Sequence, residues 1–286
     1  MAKAQKSSAV NVIEFDTDAI RARDLEVAKE TDAEIVQRLS ERFEILTDMT
    51  KAVKAGDVRA MIVSGPPGVG KSFGVEAVLS RDDLFNALGN RKPKYEIVKG
   101  AMSSLGLYCK LYEFCDENNV LVFDDCDSIL MDDLSLNILK GALDSSKRRY
   151  IAWNTDSRLL RSEGIPDRFE FKGAAIFITN IKFSHIKSKR LRDHLDALES
   201  RCHYIDLEMD TMREKMLRIR QIVGEGMLDE YEFDDVTKTL VVDFIDVNKD
   251  KLRELSLRTV LKIADLRKAF PSNWEAMART TVMRRV

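Results

Sequence analysis

The residues Gly65-Pro66-Pro67-Gly68-Val69-Gly70-Lys71-Ser72 carry the spacing G-x-x-x-x-G-K-[ST], and Phe73 follows directly. Glycines at these positions permit backbone angles that aim successive N–H groups inward at an anion. A helix starting at the motif adds the positive end of its dipole. Lys71 then reaches the β- and γ-phosphates of a nucleotide, and the Ser72 hydroxyl binds Mg²⁺. A second run, Asn119-Val120-Leu121-Val122-Phe123-Asp124-Asp125, is apolar and ends in two carboxylates. Chemistry on a bound triphosphate needs an acid beside the phosphate loop to hold the Mg²⁺ water shell, and that role falls to Asp124. Asp125 is the candidate for activating the attacking water, provided geometry lets it reach.

These residues meet only if particular elements carry them. Ala60-Met61-Ile62-Val63 is a short apolar run closed by Gly and Pro, which predicts a buried strand entering the phosphate turn. Further buried strands are expected at Tyr95–Val98, Val120–Phe123, Ala174–Thr179 and Cys202–Leu207, with helices between them, such as Phe73–Leu79, Leu107–Cys115 and Leu134–Leu143. Before them, Thr31 to Lys54 has apolar residues at helical spacing, with Asp32 a candidate cap and Gly56 the stop. Such alternation predicts an α/β fold, a parallel sheet sandwiched by helices. After Asp210 the pattern is helical: Met212–Val223, Tyr231–Val247, Leu255–Phe270 and a short helix from Pro271 to near Met283. The expected organisation is an N-terminal arm over 1–30, an α/β nucleotide-binding domain over 31–208 and a small all-α domain over 209–286.

Gly65–Ser72 followed by Asp124-Asp125-Cys126-Asp127-Ser128-Ile129 resembles the AAA+ ATPase superfamily of P-loop NTPases. That family commonly reads an apolar strand and then D-E-x-D-x-apolar. Asp125 departs from the usual Glu by one methylene, which bears on hydrolysis rate more than on ATP binding. The resemblance implies ATP and Mg²⁺ as cofactors, ATP hydrolysis, and an α-helical lid after the α/β domain. It implies that Asn180, ending the run Ala174–Thr179, is the polar sensor that orients the attacking water. Ala197-Leu198-Glu199-Ser200-Arg201-Cys202 is similar to the Ser-Arg-Cys box of sliding-clamp loaders, which implies that Arg201 enters a neighbouring subunit's site. Arg190 and Arg192 compete for that role. Leu255-Ser256-Leu257-Arg258 resembles the start of the lid helix, with Ser256 as cap and Arg258 facing the γ-phosphate of its own subunit. A site completed in trans implies a homo-oligomeric ring or spiral.

Composition narrows the partners. Lys and Arg number 46 against 48 Asp and Glu, a formal charge of −2, which excludes a uniformly basic nucleic-acid coat but not a local basic patch. No apolar run approaches the roughly 20 residues of a membrane span. Met1 to Val10 lacks the apolar core of a secretory leader. The four cysteines show no C-x-x-C pair and read as reduced, mostly buried thiols, so a cytoplasmic setting is expected.

Two segments are candidates for coupling hydrolysis to work. Tyr150–Trp153 and Phe169–Phe171 form an expected hairpin carrying Lys147, Arg148, Arg149, Arg158 and Arg161. It resembles the pre-sensor-1 hairpin of a branch that includes MoxR-type chaperones and replicative helicases. Lys182–Arg192 is a second basic run. Tyr108 either grips a client or packs in the core. The leading expectation is an assembled ATPase that remodels nucleic acid or a nucleoprotein complex, with DNA or a DNA-bound protein as partner. The alternatives are a MoxR-type protein remodeller and an ATP-gated assembly switch with slow hydrolysis.

Overall fold

The computed structural model describes residues 27, 29–88 and 92–284, with the backbone alone at 82–88 and 184. Apart from Val27, Lys29 and Glu30, the expected N-terminal arm lies outside the described residues.

The first long helix, α1 (Asp32–Ala55), starts at Thr31, not at the expected cap Asp32. Thr31 and Glu34 sit three apart, so the threonine hydroxyl accepts from the Glu34 N–H while the glutamate caps the Thr31 N–H in return. Asp32 lacks an acid at that offset. Gly56 closes the helix at φ 84, as the Gly expectation required. The chain continues through β1 (Ala60–Ser64), α2 (Lys71–Leu88), β2 (Tyr95–Lys99), α3 (Ser104–Glu113), β3 (Val120–Asp124), α4 (Asp127–Leu130) and α5 (Asp133–Ala142). A short hairpin follows, β4 (Tyr150–Ala152) and β5 (Arg168–Glu170), with α6 (Arg158–Ser162) in its loop. Then come β6 (Ala174–Thr179), α7 (Lys189–Glu199) and β7 (His203–Asp206).

All five expected strands form, in the order β2-β3-β6-β1-β7 and all parallel, but β2 and β7, at the sheet edges, are only partly buried, and β7 is confined to His203–Asp206. The residues of β1, β3 and β6 are buried throughout, which is why those segments read as continuous apolar runs and not as alternating ones. Helices cover both faces. One core joins Leu107, Tyr108, Leu136 and Leu139 to Leu121 and Phe177; the other joins Leu46, Val53, Val75 and Leu79 to Met61 and Val122. This is an α/β P-loop NTPase fold. From β1 the chain first moves to the β2 side of the sheet, and β7 later pairs on the opposite side of β1. Ligands of parallel sheets bind outside the C-terminal strand ends at such a reversal.

The remaining elements are α8 (Met212–Ile222), α9 (Asp235–Asn248), α10 (Leu257–Ala269) and α11 (Trp274–Val282). They build their own core around Val241, Ile245, Ile263 and Ala278. Three starts differ from expectation: α10 begins at Leu257 and not at Leu255, because Ser256 caps it. Asp234 caps α9, because its carboxylate accepts from the Thr237 N–H, so Tyr231 lies before the helix in a single turn of 3₁₀. Residues 271–273 form a turn, and α11 begins at Trp274. Among the described residues no helix is long and apolar enough to cross a membrane.

Candidate functional site

Adjacent strand ends deliver the chemistry. Gly65 follows β1, Asp124 ends β3, and Asn180 follows β6, which lies between them. Register sets Ser64 beside Thr179 and Asp124 beside Ile178, so the three termini are level.

The phosphate loop runs from Gly65 to Gly70. At Gly65 a Cβ would stand 2.9 Å from the Leu207 carbonyl. Gly68 has φ +68, and a Cβ there would stand 2.6 Å from the Ser256 side chain. Those two positions therefore need glycine for close approach as well as for backbone angle. Lys71 opens α2 and is buried; its ammonium donates to the carbonyls of Gly65 at 2.7 Å and Pro66 at 2.8 Å, and to Asn180 Oδ1 at 2.7 Å. Burial lowers its pKa to about 8, despite the opposing pull of Asp125 and Asp124, and Arg258 adds to the lowering. The Ser72 hydroxyl donates to Asp124 Oδ1 at 2.8 Å, and Lys99 lies 3.5 Å from the other carboxylate oxygen.

Asp125 is exposed and sits at φ 53, a left-handed angle that Asp tolerates better than most residues. Its N–H donates to the Ile178 carbonyl at 3.0 Å and its Oδ1 accepts from Asn180 Nδ2 at 2.9 Å. Asn180 thus bridges Lys71 and Asp125. Below them, Thr179 donates to Asp127 at 2.8 Å, and burial raises the Asp127 pKa.

The C-terminal helices close one side. The Leu257 N–H donates to the Gly68 carbonyl at 2.8 Å, and Ser256 caps α10 by accepting from the Thr259 N–H. Arg258, exposed, lines the same cavity of about 1170 Å³ as Pro67, Lys71, Ser72, Phe73, Asp124, Asp125 and Asn180. Val69, in contrast, is buried against Ile35 and Met209.

The lining of that cavity also holds residues that sequence reasoning missed. Phe43 on α1 and Arg218 on α8 line it with Ile222, Met227 and Leu261. The Arg218 guanidinium stands 3.6 Å from the Phe43 ring centroid, and burial lowers its pKa to about 10. No motif spacing links residues so distant in the chain. The helical periodicity of α1 pointed to Phe43 as a core residue only.

Arg201 is not in this cavity. It lines a separate recess of about 440 Å³ at the N-terminal ends of β1 and β7, with Nη1 2.5 Å from the Ala197 carbonyl. The competing arginines are otherwise engaged: Arg190 pairs with Asp133 at 2.6 Å, and Arg192 donates to the Ile186 carbonyl. The basic run 182–192 is also partly neutralised, since Lys182 pairs with Glu208 and Asp210, both at 3.2 Å. In the hairpin, Arg149 is buried and donates to the Ala142 and Gly173 carbonyls, while Lys147, Arg148 and Arg158 are exposed. Tyr108 belongs to the core. It is fully buried, donates to the Pro166 carbonyl at 2.9 Å and packs on Phe169. All four cysteines are free; Cys126 is buried and the other three are half-buried.

The cleft gathers hydroxyl, carboxylate and ammonium groups together with apolar and aromatic side chains, a lining with the chemistry to take a nucleotide. The oxygen donors Ser72 and Asp124 suit Mg²⁺, which commonly takes one or two protein ligands alongside substrate phosphates. Among the described residues no cluster of three or more His, Cys, Asp or Glu is arranged to hold a metal by itself.

No family model matches the chain. The chain is 33% identical over 257 residues to the "Uncharacterized 36.7 kDa protein in nrdC-mobD intergenic region" of Enterobacteria phage T4, a match covering 89% of this chain and 77% of that protein. Among solved structures it is similar to domain III of the Thermotoga maritima replication initiation protein DnaA. That match has 11% identity and a TM-score of 0.47, over 86% of this chain and 92% of that one.

Proposed function

The chain belongs to the family of the phage T4 36.7 kDa protein, and we propose that it is an AAA+ ATPase that assembles into a ring or spiral and remodels nucleic acid or a nucleoprotein complex. One observation carries the ATPase reading: Lys71, Ser72, Asp124, Asp125, Asn180 and Arg258 line a single cavity. In this reading residues 31–208 are the nucleotide domain and 209–286 the lid.

The roles follow from position. Backbone N–H groups from Gly65 to Phe73 and the Lys71 ammonium bind the β- and γ-phosphates, with Arg258 adding charge from the lid. Ser72 and Asp124 hold Mg²⁺, which neutralises charge on those phosphates when bound. Water attacks the γ-phosphorus, its bond to the bridging oxygen of ADP breaks, and Asp125 receives the water's proton while Asn180 holds the carboxylate in place. Phe43, Arg218, Ile222, Met227 and Leu261 receive the base. Arg201 serves the site of the next subunit. The length of β1 separates its recess from the phosphate loop of the same chain: five residues, about 17 Å at the usual rise.

The nucleic-acid reading rests on the hairpin, where Lys147, Arg148 and Arg158 are exposed and Arg168 stands 4.5 Å over the half-exposed Tyr150 ring. The burial of Tyr108 removes one motive for a protein remodeller, because that ring is unavailable to grip a client. The test is ATPase rate with and without single- and double-stranded DNA across a salt series. Stimulation that fades with salt is expected. Turnover indifferent to DNA at low salt would end the nucleic-acid reading, and turnover unchanged in Lys71→Ala would end the ATPase reading.

A further inference from the structure

We propose that the recess at the N-terminal ends of β1 and β7 is a second half-site, and that Arg59 works there beside Arg201 on the terminal phosphate of a nucleoside triphosphate held by a second copy of the chain. The inference rests on the trans-site reading of Arg201 and adds a residue that no motif indicates.

The recess is lined by Asp57, Arg59, Ser145, Ser200, Arg201 and His203, among others. Asp144 links the two arginines. Its carbonyl accepts from Arg59 Nη1 at 2.9 Å, and its carboxylate faces Arg201 Nη2 at 3.9 Å. The Ser146 carbonyl takes a second Arg59 contact at 3.3 Å. Both carbonyls engage Nη1 of the exposed Arg59, which lines the recess with Nη2 and Nε outside these two contacts. The Arg201 guanidinium is held by the Ala197 carbonyl, and its Nε is buried with no hydrogen-bond partner. A 3.9 Å ion pair is loose, so Arg201 can exchange Asp144 for a phosphate oxygen at little cost.

Two guanidiniums with the Ser145 hydroxyl form a donor set of the kind that recognises phosphate by forked hydrogen bonds, while the Ser200 hydroxyl is spent on the Ala197 carbonyl at 2.9 Å. The carboxylates of Asp57 and Asp144 balance the two positive charges. That makes the recess a poor trap for free anions, and it suits a phosphate delivered in a fixed position by a docked second copy. The P-loop of the same chain lies at the other end of β1, so both arginines serve a different subunit's nucleotide.

The test mixes variants. Arg59→Ala and Arg201→Ala alone are each expected to bind ATP normally and to lose turnover on the order of tenfold or more. Asp125→Asn supplies a partner that keeps both arginines but hydrolyses poorly. Mixing Arg59→Ala with Asp125→Asn is expected to restore activity above either protein alone, because an Arg59→Ala subunit's site then faces intact arginines. A merely structural loss at Arg59 is not rescued in this way. If Arg201→Ala is rescued and Arg59→Ala is not, or if Arg59→Ala alone keeps full turnover, the role of Arg59 falls and the trans site stands. If neither is rescued, the trans site falls with it. Should Arg59→Ala fail to fold, Arg59→Lys, which keeps the charge but loses the fork, goes through the same scheme with the same outcomes.

Discussion

The Lys71 ammonium lies 2.7 Å from the Asn180 side-chain oxygen, and the Asn180 amide lies 2.9 Å from Asp125. The phosphate-loop cation and the candidate base are thus joined through one amide that points its acceptor at one and its donor at the other. Binding and hydrolysis are separable by mutation on this geometry. Lys71→Ala is expected to weaken ATP binding by about tenfold or more, since a charge-assisted contact is worth about 1.5–3 kcal/mol. Asn180→Ala is expected to leave binding within about threefold and to cut turnover by about 10²-fold. Fluorescent-nucleotide titration and steady-state ATPase assays check the pair, and equal losses in both assays for both variants would contradict the division.

Stability carries a pH signature at the end of β7. Burial, together with the neighbouring Glu208 carboxylate, pushes Asp206 up to about 7. The unfolded chain releases that proton near pH 4, so between about pH 4 and 7 the folded state holds more protons than the unfolded one. The contribution of Asp206 is therefore fully present below pH 4 and is lost as pH rises through 7. Thermal midpoints of the native protein and Asp206→Asn, measured from pH 4 to 8, are expected to diverge as pH rises, with the native chain losing ground to the variant. Parallel curves would remove Asp206 as the cause.

Much of this fold is legible in the chain because buried parallel strands need continuous apolar runs, and Ala60–Val63, Val120–Phe123 and Ala174–Thr179 are such runs between turn residues. The phosphate loop and the ends of β3 and β6 are legible for the same reason, since polar residues directly after an apolar strand fall at its C-terminal edge. What stayed hidden depends on tertiary partners. Lys182 looks like part of a basic patch until Glu208 and Asp210 fold against it. Phe43 and Arg218 meet only because α1 packs on α8. Tyr108 is ambiguous in sequence, and the hairpin carbonyl at Pro166 that accepts its hydroxyl decides it for the core. The recess of Arg59 and Arg201 is likewise assembled by β1 and β7 pairing in register, Met61 beside His203.

Glu214 is a stability element. Its fully buried carboxylate accepts from the Thr211 N–H at 3.1 Å and the Thr211 hydroxyl at 3.0 Å, and pairs with Arg38 of α1 at 3.0 Å. Glu214→Ala keeps the Thr211 cap on the residue-214 N–H but removes the reciprocal half of the capping box and one partner of a largely buried pair, so a total loss of about 3 kcal/mol is expected. Glu214→Gln keeps the capping geometry and loses only the charge, and is expected to recover part of that loss. Urea denaturation of the three proteins checks the order, and a Gln variant no better than Ala would mean that the side-chain bonds from residue 214 back to Thr211 contribute nothing.

Asp125 decides between a turning enzyme and an ATP-gated switch. Its left-handed backbone, φ 53, suits Asp or Asn, so Asp125→Asn is expected to fold normally and to bind ATP with unchanged affinity. It loses the carboxylate proposed to take the water's proton, and turnover is expected to fall by about 10²–10⁴-fold. Asp125→Glu extends the reach of the carboxylate by one methylene. It is expected to raise turnover several-fold, at about 1 kcal/mol of stability for a longer side chain at a left-handed angle. Single-turnover hydrolysis with native, Asn and Glu proteins reads all three. Equal rates in the native and Asn proteins would take Asp125 out of the reaction, leaving ATP to act through assembly alone.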